Sequence, residues 1–275
     1  RYISGIVFLL IGGFYGSSQL SKIHYIPPLA YGVDNGSTPN NGQYLYISTP
    51  SATDVNVVIT PIGGAPQAVT VRNNNPNVYE IQGNPGAGPS QAMLAADNTN
   101  QTARVHVDKG YIIEAVESEI YVALRTRNNL QAGALVSKGG AALGTQFRAG
   151  MYTSYDPAST FVSFISVMGT ENGTILTINN IDENVDLVDL DEGALGSNAF
   201  NQLNDIVVNL NRGDTYTLAV IGTAGGAVPV ASAYPTRPLG TGHTYNSDGL
   251  IGARITSTKP VVVNSGSMTG AFAEK

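Results

Sequence analysis

The chain has no cysteine and no tryptophan in its 275 residues. The lack of Cys excludes a disulfide framework, a thiolate zinc site and a Cys-linked lipid anchor. Charge is also scarce. Charged residues make up 12% of the chain, against roughly 25% in an average globular domain. The net charge is −6 and no basic stripe exists, so a nucleic-acid partner is not expected. No apolar run reaches the roughly 20 residues of a spanning helix, so stable membrane insertion of the mature chain is not expected either. A G-x-S-x-G elbow and the phosphate-binding Gly loops of Walker or Rossmann type are missing. The three histidines, His24, His106 and His243, are scattered and lack metal spacing. The expectation is a non-enzymatic chain with no cofactor.

What is present is β-forming. Polarity comes from Asn, Thr, Ser and Gly, and 32 Gly with 14 Pro call for many turns. Period-2 patterns dominate. Val55, Val57 and Ile59 alternate with polar neighbours, and so do Ile120, Val122 and Leu124, and Tyr216, Leu218 and Val220. Val105 and Val107 alternate with His106 and Asp108, which predicts a solvated His106. Only a short stretch around Asn198–Asn204 suggests a helix. The fold class that follows is all-β, with sandwiches as the default. The N-terminus differs in kind. Arg1, an apolar run from Ile6 to Phe14 and the small residues Gly16 and Ser18 read as a signal peptide over 1–18, with Gln19 as the mature start.

The element order is written twice. "YLYIS", "VNVVIT", "AVTV", "VYEI" and "KGYIIEAVESEIYVAL" are echoed by "FVSFIS", "GTILTI", "IVVNL", "TYTLAV" and "DGLIGARITSTKPVVV". Two tandem β-sandwich modules of similar topology are therefore expected, over 19–127 and 128–275. Gly110 and Gly249 should open equivalent strands. An acidic insertion at 182–200 should protrude from the second module as a solvated loop.

From Ser118 onward the wording becomes more specific. "SEIYVALRTRN", "AALGTQFR" and "FVSFISVMGTENGTILTI" follow in order. This set resembles the IgGFc-binding protein N-terminal domain family, over roughly residues 40–266. The matching positions are Ser118, Ile120, Val122, Leu143, Gly144, Thr145, Asn172 and Thr174. The resemblance implies a secreted or cell-surface protein, of the kind found among gliding-motility-associated, type IX secreted proteins of Bacteroidota. It further implies that this chain is the N-terminal part of a longer exported protein. No residue set for antibody binding carries over with it.

Three further features bear on function. Asp186, Asp189 and Asp191 could hold calcium weakly, but their spacing does not match an EF-hand loop. Arg212-Gly213-Asp214 spells an adhesion tripeptide, yet sits where a tight turn is expected. Tyr accounts for 14 residues against 7 Phe, placed near strand ends as in "YLYIS". Exposed Tyr would suit a protein or glycan ligand, whereas packed Tyr would fill sandwich corners. The functional expectation is a binding or spacer module for adhesion or gliding. A carbohydrate-binding or carbohydrate-active sandwich and a structural fibre subunit are the alternatives.

Overall fold

The computed structural model of the chain describes residues 19–32, 42–82, 90–96, 101–127, 132–151, 162–181, 185, 187–190, 205–221 and 249–268. The expected leader and the Asn198–Asn204 stretch lie outside these residues. The architecture is all-β, and no described helix is long and apolar enough to cross a membrane. The first half holds β1 (Ile23–Ile26), β2 (Leu29–Tyr31), β3 (Gln43–Ser48), β4 (Val55–Pro61), β5 (Gln67–Val71), β6 (Asn77–Gln82), β7 (Met93–Ala95), β8 (Val105–His106), β9 (Tyr111–Ala115) and β10 (Tyr121–Arg127). Then come β11 (Ala132–Val136), a 3₁₀ turn at Gly139–Ala142, β12 (Gly144–Arg148), β13 (Val162–Gly169), β14 (Thr174–Asn179), β15 (Ile206–Leu210), β16 (Thr215–Ile221) and the long β17 (Arg254–Met268).

Three chain passes build each half. In the first, β3 and β4 form the central pass, with β5 and β6 on one side and β9 and β10 on the other. In the second, β13 and β14 are central, flanked by β15 and β16 and by β17. In the first half each pass bends midway from one sheet into the next, whereas in the second β17 runs unbroken and joins β12–β16, with β8, in one seven-stranded sheet. Ser48 faces Tyr121 and Val57 faces Ala115, so the central pass carries three residues more than its neighbour across the bend. Gly169 faces Val261 and Leu176 faces Ser257, the same three-residue excess. Extra residues of this kind turn a strand out of one sheet and into the other. A matching hydrogen bond sits at each bend. Thr49 Oγ1 donates to the Glu119 carbonyl at 2.8 Å, and Thr170 Oγ1 to the Pro260 carbonyl at 2.6 Å.

Alternation becomes burial where the pattern is strict. Val55, Val57 and Ile59, and Ile120, Val122 and Leu124, are fully buried in the first core. Leu176, Ile178, Ile255 and Val261 fill the second. Each such side chain contributes about 1.5–3 kcal/mol on leaving water. β13 is buried on both faces. Ile165 and Val167 enter the second core, Val162 and Phe164 join the first, and Met168 packs with Tyr25, Ile112 and Val262 between them. The first half thus lies against one face of β13, through β2 above all, which pairs in parallel with β7. It also extends the sheet edge, since β8 pairs antiparallel with β16.

Several expectations need correction. His106 is buried and Val107 is 65% exposed, the reverse of the expected phase, because β8 is two residues long and follows β16. Gly110 does precede β9, but a turn at 249–252 separates Gly249 from the start of β17 at Arg254. Of the "ALGT" residues, Ala142 closes the 3₁₀ turn, Leu143 follows it, and Gly144 and Thr145 open β12, with Gly144 facing Val261. The described part of the acidic insertion does not protrude as a solvated loop. Val185 and Leu187 are in the second core and Val188 in the first, because the apolar residues between the acids have two cores to enter.

Candidate functional site

The sheet β11-β10-β3-β6 turns Leu45, Ile47, Val122 and Leu124 into the first core. Period 2 then places Tyr44, Tyr46, Val78, Glu80 and Arg125 on the opposite face. Register brings them together. Arg125 lies opposite Tyr44, which lies opposite Glu80, while Tyr46 lies opposite Val78. The Tyr44 and Tyr46 rings meet edge to face with centroids 6.4 Å apart. The Arg125 guanidinium sits 4.9 Å from the Tyr46 ring centroid. Arg127 is exposed at the end of the same strand. Tyr46 is 36% and Val78 51% exposed. Tyr and Arg held on a rigid sheet present large contact area at low entropic cost, and a stacked guanidinium keeps its donors free for a ligand.

In the second half the counterpart of this face is closed. The β13 face turned away from its own core carries Phe164, Ser166 and Met168, all buried. Ser166 Oγ and Thr217 Oγ1 hydrogen-bond there at 2.8 Å. One half therefore uses this face for internal packing, while in the other Tyr46, Val78 and Arg125 stay exposed among the described residues.

The expected site residues disperse into structural duties. Ile120 and Val122 are core, Ser118 is half-buried, and Leu143 and Thr145 are exposed. Gly144 packs under the Phe147 ring, whose Cζ would lie 2.8 Å from an added Cβ. Asn172 and Thr174 frame the bend between β13 and β14. Asn172 Oδ1 accepts from the Arg212 amide at 3.0 Å, its carbonyl accepts from Lys259 Nζ at 2.6 Å, and Thr174 Oγ1 donates to the Glu171 carbonyl at 2.8 Å. Arg212 reaches back to Glu114 of the first half at 3.0 Å, Gly213 is buried, and Asp214 accepts from the Asn211 amide. The tripeptide is a turn that joins the halves.

Asp189 adopts φ +64° and spends Oδ2 on the amides of Gln101 and Thr102 and on the Thr102 hydroxyl. Asp186 and Asp191 lie outside the described residues. Among the described residues no cluster of His, Asp or Glu could hold a metal ion. His24 is fully buried. Its Nε2 lies 2.9 Å from the Ile120 carbonyl and so carries the proton, which leaves Nδ1 to accept from the Ser137 hydroxyl at 2.9 Å. Those are the atoms of a nucleophile–base pair, but both side chains are buried and serve to tie β1 to the chain after β11. Burial holds the pKa of His24 and of His106 below the ordinary histidine value, and burial likewise lowers Lys109, whose Nζ donates to the Ser90 carbonyl.

The Tyr signal in "YLYIS" pointed toward this face, but nothing in the sequence gave Arg125 a role. Its contact with Tyr46 is made across two paired strands far apart in the chain. A family model described as IgGFc binding protein matches residues 132–274, which span β11 and the whole second half. No curated protein and no solved structure matches the chain.

Proposed function

The chain belongs to the IgGFc binding protein family, and from that premise we propose that it is a secreted, non-enzymatic module that binds protein at the cell surface. The observation that carries this reading is the open Tyr44–Tyr46–Arg125 face, whose counterpart in the second half is already covered by protein. The repeated strand order, the shared three-residue excess and the paired Thr49 and Thr170 bonds support a duplicated sandwich in which the second copy packs on the first. Adhesion or gliding within a longer exported protein is the biological setting that fits such a module. Glycan binding is the second reading, because Tyr faces also stack on sugar rings.

The test is biolayer interferometry on immobilised immunoglobulin Fc beside a glycan array, with wild type and Tyr46→Ala/Arg125→Ala. Fc binding that weakens at least about tenfold in the variant, as expected when two anchor residues are removed, supports the protein reading. Glycan binding lost in the variant replaces it with the second reading. Absence of Fc binding, or Fc binding that the variant leaves unchanged, overturns the assignment.

A further inference from the structure

The junction between the halves contains a strand addition. β16 would be an edge, but β8 of the first half pairs with it antiparallel, Thr215 opposite His106 and Tyr216 opposite Val105. The counterpart of β16 in the first half is β6, and the sheet order β11-β10-β3-β6 ends there. Among the described residues nothing pairs with its outer side. Another pair of edge strands gives a contrast. β5 and β15 are counterparts of each other, and among the described residues neither has a strand on its outer side. The β6/β16 position is covered in the second half and, among the described residues, open in the first.

β6 has few of the features that protect an edge, the main one being a register shift against β3 at Ile81, near its end. Its sequence NVYEIQ has no Pro and no Lys, and its single charge is Glu80. Tyr79 and Ile81 pack toward the first core, which leaves Val78 and Glu80 on the Tyr/Arg face. Glu80 has Tyr44 on its paired side and, among the described residues, no ion-pair partner. A strand added on the other side would set one side chain beside Glu80 and one beside Val78. Opposite charges favour such cross-strand positions and like charges oppose them.

Resting on the protein-binding reading of this face, we infer that β6 is a receiving edge. It takes an extended segment of a partner protein as an added antiparallel strand, with a basic side chain opposite Glu80 and an aliphatic one opposite Val78. Backbone hydrogen bonds supply the affinity, and the alternate side chains supply the choice of partner. The partner chain then continues over Tyr46 and Arg125, as the first half continues from β8 over β13.

The experiment adds the peptide acetyl-Thr-Val-Lys-Thr-Val-Thr-amide to the full chain and follows amide hydrogen exchange by NMR. A peptide with Glu in place of Lys and the Glu80→Lys variant complete the set. Slower exchange in β6, at least about twofold weaker binding of the Glu peptide, and reversal of that preference in Glu80→Lys are expected. Protection of β5 or β15 instead of β6, or no protection at millimolar peptide, overturns the receiving edge. Protection of β6 that ignores the charge exchange overturns the stated partner chemistry. Fc binding is not part of this readout, so a failure here and a failure of the protein-binding reading remain distinct.

Discussion

The Thr102 hydroxyl donates to Asp189 Oδ2 at 2.9 Å, and that same oxygen accepts the Thr102 amide at 2.9 Å and the Gln101 amide at 3.0 Å. One carboxylate oxygen thus anchors a loop of the first half to a segment of the second. The amide of Val188 beside it donates to Ala219 on β16. The part of the acidic segment nearest to a calcium ligand set is a clasp. Asp189→Gly keeps the positive φ and removes the acceptor shared by the two amides, while the Thr102 hydroxyl keeps the Val188 carbonyl at 2.9 Å. A loss of about 2–3 kcal/mol is expected in urea unfolding, equal with and without chelator. A loss seen only with calcium present would give Asp189 a metal-binding role instead.

Acid should weaken the fold through its two described histidines. Burial is the main cause for both, and it lowers His24 and His106 from the ordinary 6.5. At His106 the nearby Arg104 and Lys109 lower it further, while the Gln101 carbonyl and Asp108 oppose the shift. A lowered folded-state pKa means that the unfolded chain binds protons first. The stability is therefore complete above about pH 6.5 and declines as pH falls below it. Denaturation midpoints at pH 7.5 and 5.0 should differ in that direction, and His24→Gln/His106→Gln should flatten the slope. A midpoint that rises toward pH 5 would contradict the assignment.

Gly110 and Gly173 both have positive φ, +99° and +68°, but only one is crowded. A Cβ on Gly110 would meet the Ile26 carbonyl oxygen at 2.7 Å and Met168 Cε at 2.5 Å, at the junction of the halves. A Cβ on Gly173 meets nothing within 4 Å. Gly173→Ala should cost about 1–2 kcal/mol, the left-handed conformation alone. Gly110→Ala should cost several kcal/mol, since backbone must move as well. Thermal unfolding of the two variants gives the order, and equal shifts would mean that the contact at Ile26 relaxes freely.

The ion pair between Arg212 and Glu114 links the halves but is half exposed at both ends, 44% and 45%. A double-mutant cycle should return about 0.2–1 kcal/mol of coupling. The halves are held instead by Phe164, Met168, Val162 and Val262. Met168→Ala, a fully buried truncation, should cost about 2–5 kcal/mol. If the ion-pair coupling exceeded the cost of that truncation, the junction would be electrostatic and strongly salt-dependent.

The sequence by itself determined the all-β class, most of the strands and the doubled order of elements. Val55, Val57 and Ile59 or Val122 and Leu124 could be assigned to a core because strict period 2 forces one face out of water, whatever lies opposite. The short β8 was beyond that logic, since two residues carry no period and the pairing with β16 set its phase. Tertiary structure alone decided which second faces are open. Phe164, Ser166 and Met168 on β13 and Tyr44 and Tyr46 on β3 occupy equivalent faces, yet the first set is buried by a neighbouring half, whereas Tyr44 is half-buried and Tyr46 exposed. Alternation reports that a strand has two faces. What covers the outer one depends on residues far away in the chain, as does the contact that sets Arg125 over Tyr46.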